Sequence, residues 1–222
     1  MLDLDKGVST VIGNRAFHRQ PNVIIELSSA LMKGLRTAGM AAVGKHFPGH
    51  GSVNLDSHLA MPIDPRSYDE IAKDDLVPFA RLIQSGLPAV MPAHILFPEI
   101  DDKPVGFSGI WLKKILREQL KFSGVIFSDD LEMKGADGIG DHLERAKVAL
   151  DAGCDMILIC NNRSAAINIL DHLPQNYSVS ENKFKMMQGD FSASSNTAQL
   201  SQWKEKYELL NKAMYGNHKQ NA

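Results

Sequence analysis

The sequence predicts an α/β fold in which helices cover a parallel sheet. Short apolar runs alternate with segments of helical periodicity, and this β–α order occurs four times between residues 40 and 172. The apolar runs are continuous rather than alternating, which is typical of strands buried on both faces. Four β–α units in series fit either half of a (β/α)₈ barrel or a small doubly wound sheet.

The four predicted strands lie at residues 40–45, 87–92, 124–128 and 155–160. The helix after each strand is predicted, in the same order, over 67–85, 109–120, 141–152 and 164–172. Ser67 and Glu70 have the spacing of a capping box, so they are expected to begin the first of these helices. Ser108 is expected to cap the second helix, and Gly153 is expected to end the third.

The two ends of the chain differ from this repeating part. A helix is predicted over 22–38, and the residues LDL at 2–4 are interpreted as the end of an earlier strand. From residue 174 the chain is polar, with a flexible link predicted at 192–196 and one helix at 201–214. The predicted division is therefore a β–α domain over 1–173 and a polar tail over 174–222.

Composition excludes several classes of function. The chain has 222 residues, 44% of them hydrophobic and 23% charged, as in ordinary globular proteins. Its 24 Lys and Arg against 26 Asp and Glu are too balanced to indicate binding to nucleic acid or to a membrane. No apolar stretch approaches the length of about 20 residues that a membrane span needs, and the start lacks a signal-peptide pattern. Cys154 and Cys160 are expected to be small buried thiols, which fits a cytoplasmic protein.

Polar residues follow each predicted strand. In chain order these residues are His46, His94, the pair Asp129 and Asp130, and the pair Asn161 and Asn162. The carboxyl ends of parallel strands meet on one face, where such folds keep their chemistry. We therefore expect these side chains to share one rim.

The loop from His46 to Pro62 is seventeen residues long, longer than most β–α connections, and such loops tend to be functional. Asp56 stands two residues before His58. In a turn the carboxylate can accept from one ring nitrogen and leave the other free for proton transfer. The alternative interpretation of this pair is a surface Asx-turn.

Each neighbouring residue also has a structural interpretation. His46 could be a buried core histidine, and His50 is expected to brace the loop through a hydrogen bond. Asp129 could cap a following helix, as aspartate often does. Asp130 and Glu132 are expected to be structural or solvated.

A metal-dependent hydrolase built on His46, His50, Asp56 and His58 is a further alternative. Residues 46 and 50 have a spacing found among metal ligands, but the Phe-Pro-Gly between them breaks a helix, and no HExxH string is present. The glycines of FPGHG do not form a phosphate-binding GxxxxGK[ST] loop. No metal and no cofactor is predicted.

Several strings resemble a known family. KHFPGHG, DSH, MPAH, GVIFSDDLEM and AGCDMILICNN occur in this order. Together they resemble the bacterial cytoplasmic β-N-acetylglucosaminidases (β-hexosaminidases) of glycoside hydrolase family 3. The resemblance implies a retaining exo-glycosidase that removes terminal β-linked N-acetylglucosamine from peptidoglycan fragments bearing 1,6-anhydro-N-acetylmuramic acid, in cell-wall recycling.

The resemblance also implies roles for individual residues. Asp129 matches the nucleophile, His58 the general acid/base, and Asp56 the carboxylate that orients His58. The residues that match sugar-binding positions are Arg15, Lys45 and His46. The implied partner is a small-molecule substrate, with no nucleic acid and no membrane, and the chain is expected to be a monomer.

The fold implied by the resemblance is the C-terminal portion of a (β/α)₈ TIM-type barrel. A complete barrel takes about 250 residues, and family members carry the first strands and a DQEGGR-like sugar-binding segment ahead of the point where this chain starts. Residues 1–173 would then be a partial catalytic domain with about four to five β–α units. Such a sheet exposes two edges, so the chain as written is expected to have low stability and little or no activity. The alternative function is a non-catalytic sugar-binding remnant.

Overall fold

Four strands form one parallel sheet, in the order in which they occur in the chain. The computed structural model describes residues 1–190 and 197–215. The strands are β1 (Val43–Phe47), β2 (Ala89–Pro92), β3 (Val125–Asp130) and β4 (Met156–Leu158). Val43 pairs with Ala89, Ala89 with Val125, and Phe127 with Met156, in parallel register throughout. The α/β prediction is confirmed, and the carboxyl ends of the strands lie along one edge.

Residues 2–4 extend alongside β1 without forming a regular strand. The Leu2 amide donates to the carbonyl of Lys45 at 2.7 Å, and Leu2 and Leu4 are buried. Asp3, between them, is buried as well. The LDL segment is therefore part of the core, as a strand remnant would be, but it makes too few ladder bonds to count as a strand.

Helices cover the sheet and continue into the tail. The α-helices are α1 (Pro21–Thr37), α2 (Tyr68–Lys73), α3 (Leu76–Gln84), α4 (His142–Ala152), α5 (Arg163–His172), α6 (Glu181–Met187) and α7 (Thr197–Tyr215). Ile110–Gln119 is a π-helix, and short 3₁₀ turns lie at Gly13–Arg15, Val105–Phe107 and Lys134–Ile139. Within the residues described, no helix is long and apolar enough to cross a membrane.

The helix predicted over 67–85 is two helices. Its start is as predicted, because Ser67 and Glu70 form the capping box. The break falls between α2 and α3, just before Pro78. Proline has no amide hydrogen to donate to the fourth residue before it, so it is tolerated in the first turn of a new helix but not inside a continuous one. The apolar periodicity was correct, and the proline decides where the helix divides.

The segment predicted as a helix over 109–120 is helical, but with wider turns. The Leu120 amide donates to the carbonyl of Ile115, five residues back, at 2.9 Å. Ser108 caps this helix as predicted, because its Oγ accepts from the amide of Trp111 at 3.1 Å. Trp111 packs against Phe47 and Phe97, with ring centroids 6.0 and 5.1 Å apart. This aromatic cluster fixes the end of β1, where the long loop begins.

The polar tail contains a helix that the sequence did not reveal. In α6, Lys183 forms an ion pair with Asp155 at 2.5 Å, and the Asp190 amide donates to the carbonyl of Gly39 at 2.8 Å. Residues 174–190 are thus attached by polar contacts to the segments that precede β1 and β4, and such contacts leave no apolar periodicity in the sequence. The predicted link at 192–196 lies outside the described residues, and α7 confirms the last predicted helix.

The prediction of two buried thiols is wrong for Cys160. Cys154 is buried, and burial raises the pKa of its thiol. Cys160 lies beyond the end of β4 and is exposed. β4 is an edge strand of the sheet, its own residues are only half-buried, and it ends at Leu158, so the apolar run does not bring Cys160 into the core.

Candidate active site

The loop after β1 is held at both ends and in the middle. Residues 48–62, called here the site loop, end where Leu96 donates to the carbonyl of Pro62 at 3.0 Å. At its start, the Ala93 amide donates to the carbonyl of Phe47 at 2.8 Å. Near its middle, the Gly135 amide donates to the carbonyl of Ser57 at 2.9 Å. The loop is long, but its side chains have defined positions.

Gly51 explains how closely the site loop approaches the LDL segment. A Cβ added at Gly51 would lie 1.9 Å from the carbonyl oxygen of Leu4, which is well inside van der Waals contact. Only glycine allows the two backbones to approach this closely. The site loop is consequently packed against the residue that follows Asp3.

A cavity of about 100 Å³ lies between the carboxyl ends of β1 and β3 and the site loop. It is lined by five of the residues predicted as site residues, which are Arg15, Lys45, His46, His58 and Asp129. The sixth, Asp56, contacts His58 directly. His50 and Ser57 complete the polar lining. The structure therefore brings all six residues together.

Asp56 and His58 form a pair at the exposed side of this cavity. Asp56 Oδ1 lies 2.7 Å from His58 Nδ1 and accepts from the His58 amide at 2.8 Å. The second contact is the Asx-turn of the structural interpretation, and the first is the ring contact that the proton-transfer interpretation requires. Burial alone would raise the pKa of the Asp56 carboxyl, but the hydrogen bonds from His58 outweigh it and the pKa is lowered. The carboxylate stays ionised beside the ring.

Asp3 forms a second, buried pair with His46, and sequence reasoning missed it. Asp3 Oδ2 lies 2.8 Å from His46 Nδ1, and its carboxylate also accepts from the amides of His46 at 3.2 Å and His50 at 2.8 Å. Burial alone would raise its pKa, but His46 and these hydrogen bonds together lower it. The available signal was one acidic residue between two buried leucines.

His50 braces the site loop, as predicted. Its Nε2 lies 3.2 Å from Ser57 Oγ, and its ring meets that of His46 edge-on with centroids 6.0 Å apart. Burial lowers the pKa of His50, which favours the neutral ring. His50 is therefore a structural link between the LDL segment, through its amide, and Ser57, through its ring.

Asp129 lies inside β3 rather than at the start of a helix, so the helix-cap interpretation is wrong. Its Oδ1 accepts from the amide of Asp130 at 2.9 Å. Asp130 is structural, as predicted, because its Oδ1 accepts from the amides of Glu132 at 3.1 Å and Cys160 at 3.0 Å. At the end of β3, Asp129 thus lines the cavity, whereas Asp130 connects β3 to the residues that follow β4.

The prediction of one rim formed by all four strand ends is wrong for β2 and β4. His94 is fully buried and is not part of the cavity lining; its Nε2 lies 3.0 Å from the carbonyl of Asp130, and its ring stacks on Phe107. Burial lowers the pKa of His94. Asn162 caps α5 by accepting from the amide of Ala165 at 2.9 Å. These side chains support the fold around the site and do not line it.

Two cations, Arg15 and Lys45, line the cavity together with the carboxylate of Asp129. Arg15 is held by its own turn, since its Nε and Nη2 donate to the carbonyl of Val11 at 2.8 and 2.5 Å. Lys45, in β1, has no hydrogen-bonding partner for its ammonium within residues 1–190 and 197–215. The cavity thus offers donors for an uncharged polar ligand, one carboxylate, and an imidazole oriented by a second carboxylate.

The metal alternative rests on His46, His50, Asp56 and His58, and three ring nitrogens in this set already have protein partners. These partners are Asp3 for His46, Ser57 for His50 and Asp56 for His58. In the part of the chain that the structure describes, no group of three or more His, Cys, Asp or Glu side chains has the arrangement of a metal site.

Comparison with known proteins gives a consistent set of relatives. The model of the glycosyl hydrolase family 3 N-terminal domain matches residues 1–189. A "Beta-hexosaminidase" from Nitrosospira multiformis is 57% identical over 173 residues, which are 78% of this chain and 50% of that protein. NagZ from Neisseria gonorrhoeae superposes with a TM-score of 0.78 at 46% identity, over 86% of this chain and 56% of that one.

The same Neisseria gonorrhoeae protein has been solved in complex with N-trifluoroacetyl-D-glucosamine. That structure superposes equally well, with a TM-score of 0.78 at 45% identity, over 86% of this chain and 56% of that one. The chain spans about half the length of the curated relatives that it matches.

Proposed function

This chain belongs to glycosyl hydrolase family 3, and on that premise we propose that its cavity is the active site of a retaining exo-glycosidase acting on terminal β-linked N-acetylglucosamine. The observation that supports the proposal most directly is the cavity itself. It combines the Asp56–His58 pair with a separate carboxylate, Asp129, and two cations. A retaining glycosidase needs a proton carrier and a nucleophile facing one sugar ring.

In the first step the carboxylate of Asp129 attacks the anomeric carbon. The bond from that carbon to the leaving oxygen breaks, and His58, as imidazolium, gives its Nε2 proton to this oxygen. Asp56 accepts from Nδ1 throughout, which orients the ring and stabilises its charged form. The product is a glycosyl ester on Asp129 and a neutral His58.

In the second step the same ring acts as a base. Neutral His58 takes a proton from water, the water oxygen attacks the anomeric carbon, and the ester bond to Asp129 breaks. Imidazole, with an ordinary pKa near 6.5, suits both proton transfers close to neutral pH. Because the carbon is attacked twice, its configuration is retained.

Arg15, Lys45 and His46 are proposed to bind the hydroxyl and acetamido groups of the sugar. The resemblance in sequence supports these roles, and all three residues line the cavity. We extend the proposal to muropeptide fragments bearing 1,6-anhydro-N-acetylmuramic acid as substrates, to a cytoplasmic location and to a monomer. These parts rest on the family resemblance; the N-trifluoroacetyl-D-glucosamine bound to NagZ of Neisseria gonorrhoeae is consistent with the sugar.

The test is hydrolysis of 4-nitrophenyl N-acetyl-β-glucosaminide. Two proteins are compared, the 222-residue chain and the same chain fused to the portion of the Nitrosospira multiformis relative outside the match. In the active form, Asp129→Ala is expected to abolish turnover, and added azide is expected to restore part of it by forming a glycosyl azide. Asp171→Ala, at an exposed position on α5, is the matched control. Full activity of Asp129→Ala would refute the assignment of the nucleophile.

A second candidate function is sugar binding without turnover by this chain alone. The cavity of about 100 Å³ is smaller than the ligand pockets of about 300–1,000 Å³ usual for small molecules, so these residues enclose only part of a sugar. Calorimetry with N-acetylglucosamine separates the candidates. Binding by the 222-residue chain with turnover only in the fusion would support this second function for the isolated chain.

A further inference from the structure

The buried carboxylate of Asp3 makes contacts that go beyond packing. Its Oδ1 accepts from the amide of His50 at 2.8 Å, and both of its oxygens lie 3.2 Å from the amide of His46. Its Oδ2 lies 2.8 Å from His46 Nδ1. Asp3 is fully buried, and the side chain of His46 is only 9% exposed. One carboxylate therefore holds both ends of the turn from His46 to His50 and one nitrogen of the ring at the cavity wall.

The identity of the acceptor decides where the ring hydrogen lies. An ionised carboxylate can only accept hydrogen bonds, so His46 Nδ1 must carry a hydrogen. In the neutral ring, Nε2 then has a lone pair and no hydrogen. Nε2 has no partner within residues 1–190 and 197–215, and His46 lines the cavity. A bound sugar therefore meets the Nε2 side of this ring.

Charged side chains of both signs surround this ring. Arg15 and Lys45 line the same cavity, and Lys45 precedes His46 in β1. The carboxylate in contact with this ring is Asp3, which accepts from three donors. Asp129 and the imidazoles of His50 and His58 line the same cavity.

We propose that Asp3 is a positioning residue for sugar recognition: it fixes the Nδ1–H tautomer of His46, so that Nε2 faces the ligand as a hydrogen-bond acceptor. The identity of the ligand rests on the function proposed above. The site then selects a sugar with a hydroxyl hydrogen directed at His46, and an analogue that cannot donate at that position is discriminated against. Arg15 and Lys45 supply only donors, whereas His46 Nε2 supplies an acceptor.

Asp3→Asn reverses this assignment while keeping the shape of the side chain. The amide oxygen can still accept from the backbone amides of His46 and His50. Its NH₂ group then occupies the position of Oδ2, opposite His46 Nδ1, and Nδ1 must become the acceptor. The ring hydrogen moves to Nε2, and the cavity receives a donor where it had an acceptor.

The first experiment reads the tautomer directly and does not depend on any sugar. Nitrogen-15 spectra of the histidine rings at pH 7.5 distinguish a protonated ring nitrogen from one with a free lone pair. In the parent chain, His46 is expected to have hydrogen on Nδ1 only, and in Asp3→Asn on Nε2 only. Hydrogen on Nε2 of the parent, in the other tautomer or in a charged ring, would overturn the proposal, even if the variant fails to fold.

The second experiment measures binding of N-acetylglucosamine and of its 3-, 4- and 6-deoxyfluoro analogues by calorimetry. Fluorine cannot donate a hydrogen bond, so the analogue with fluorine at the position facing His46 leaves Nε2 without a donor. This analogue is expected to bind the parent roughly tenfold more weakly than N-acetylglucosamine does. In Asp3→Asn a hydroxyl can rotate to accept from Nε2, and the discrimination is expected to fall to about twofold. Equal discrimination by parent and variant for every analogue would contradict the proposal.

Asp155→Asn is the matched control for both experiments. Asp155 is also a largely buried carboxylate that accepts from a backbone amide, that of Ile126 at 2.8 Å, but it lies away from the cavity and pairs with Arg117. The control is expected to leave the His46 tautomer and the discrimination unchanged. If neither the parent chain nor the fusion described above binds N-acetylglucosamine, the function proposed above fails, and the ring spectra still decide the role of Asp3.

Discussion

Two aspartate–histidine pairs lie at one cavity. Their oxygen–nitrogen distances are nearly equal, but one pair is exposed to solvent and the other is buried. Asp56 and His58 are joined at 2.7 Å, and Asp3 and His46 at 2.8 Å, through Nδ1 in both cases. The side chains of the first pair, called here the exposed pair, are 29% and 59% exposed. Those of the second, the buried pair, are 0% and 9% exposed.

The surroundings determine what each pair can do. The exposed pair lies two residues apart in the site loop, so its imidazole can exchange protons with a leaving group and with water. The buried pair joins residues 43 positions apart and holds two backbone amides as well. The same contact therefore serves proton transfer in one place and fixed geometry in the other. Variants of Asp56, Asp3 and Ser57 test this distinction.

The largest effect is expected for turnover when the exposed pair is broken. Asp56→Asn should lower kcat by about 10²–10⁴-fold, the usual contribution of an acid–base group. The Asn amide oxygen can still accept from His58 Nδ1, because both contacts of Asp56 use Oδ1, but it carries no negative charge to stabilise the imidazolium. Asp141→Asn is the matched control, because Asp141 is exposed and caps α4, a role that Asn performs equally well. A rate within about threefold of the parent would be inconsistent with acid–base work of this size.

The next largest effect is expected for stability when the buried pair is broken. Asp3→Ala leaves two amides and a ring nitrogen without their acceptor, and the loss of one partner from such a buried site costs about 3–5 kcal/mol in the free energy of unfolding. Asp56→Ala should cost less than about 1 kcal/mol, because its pair is solvated. Urea unfolding of the two variants measures both values. Similar losses would mean that burial does not separate the pairs.

The sequence revealed the exposed pair and not the buried one, and the reason is physical. Asp56 and His58 are neighbours in a turn, so their contact can be inferred from spacing alone. Asp3 meets His46 only because the LDL segment extends alongside β1, and no local pattern encodes that pairing. The same limit applies elsewhere. The sheet follows from apolar runs, whereas α6 is attached by the polar contact of Lys183 with Asp155 and leaves no periodic signal.

Acid should weaken the contribution of the buried pair. Since the pKa of Asp3 is lower in the folded chain than its unfolded value of about 3.9, its contribution is complete above that pH and is lost as the pH falls through the folded pKa. The difference in the free energy of unfolding between the parent and Asp3→Asn should be constant from about pH 7 to 5 and should shrink below about pH 4. Urea unfolding at each pH measures it. A difference that grows in acid would mean that the carboxyl is protonated in the folded chain.

The smallest expected effect concerns the link between the pairs. His50 donates its amide to Asp3, and its Nε2 contacts Ser57 Oγ at 3.2 Å, next to His58 in the chain. Ser57→Ala should lower the free energy of unfolding by about 1 kcal/mol, or the melting temperature by about 2–4 °C. Ser52→Ala is the matched control, since its buried Oγ has no partner within the described residues, and it should change stability by less than about 0.5 kcal/mol.

The double variant Asp3→Asn with Ser57→Ala then shows whether the two pairs are coupled. If His50 carries the connection, the two losses should not add, and the interaction free energy should exceed about 0.5 kcal/mol. Additive losses would mean that the buried pair fixes only the ring of His46, and that the exposed pair is positioned by the site loop alone. In that case the contact between Gly135 and Ser57 would be the remaining support for His58.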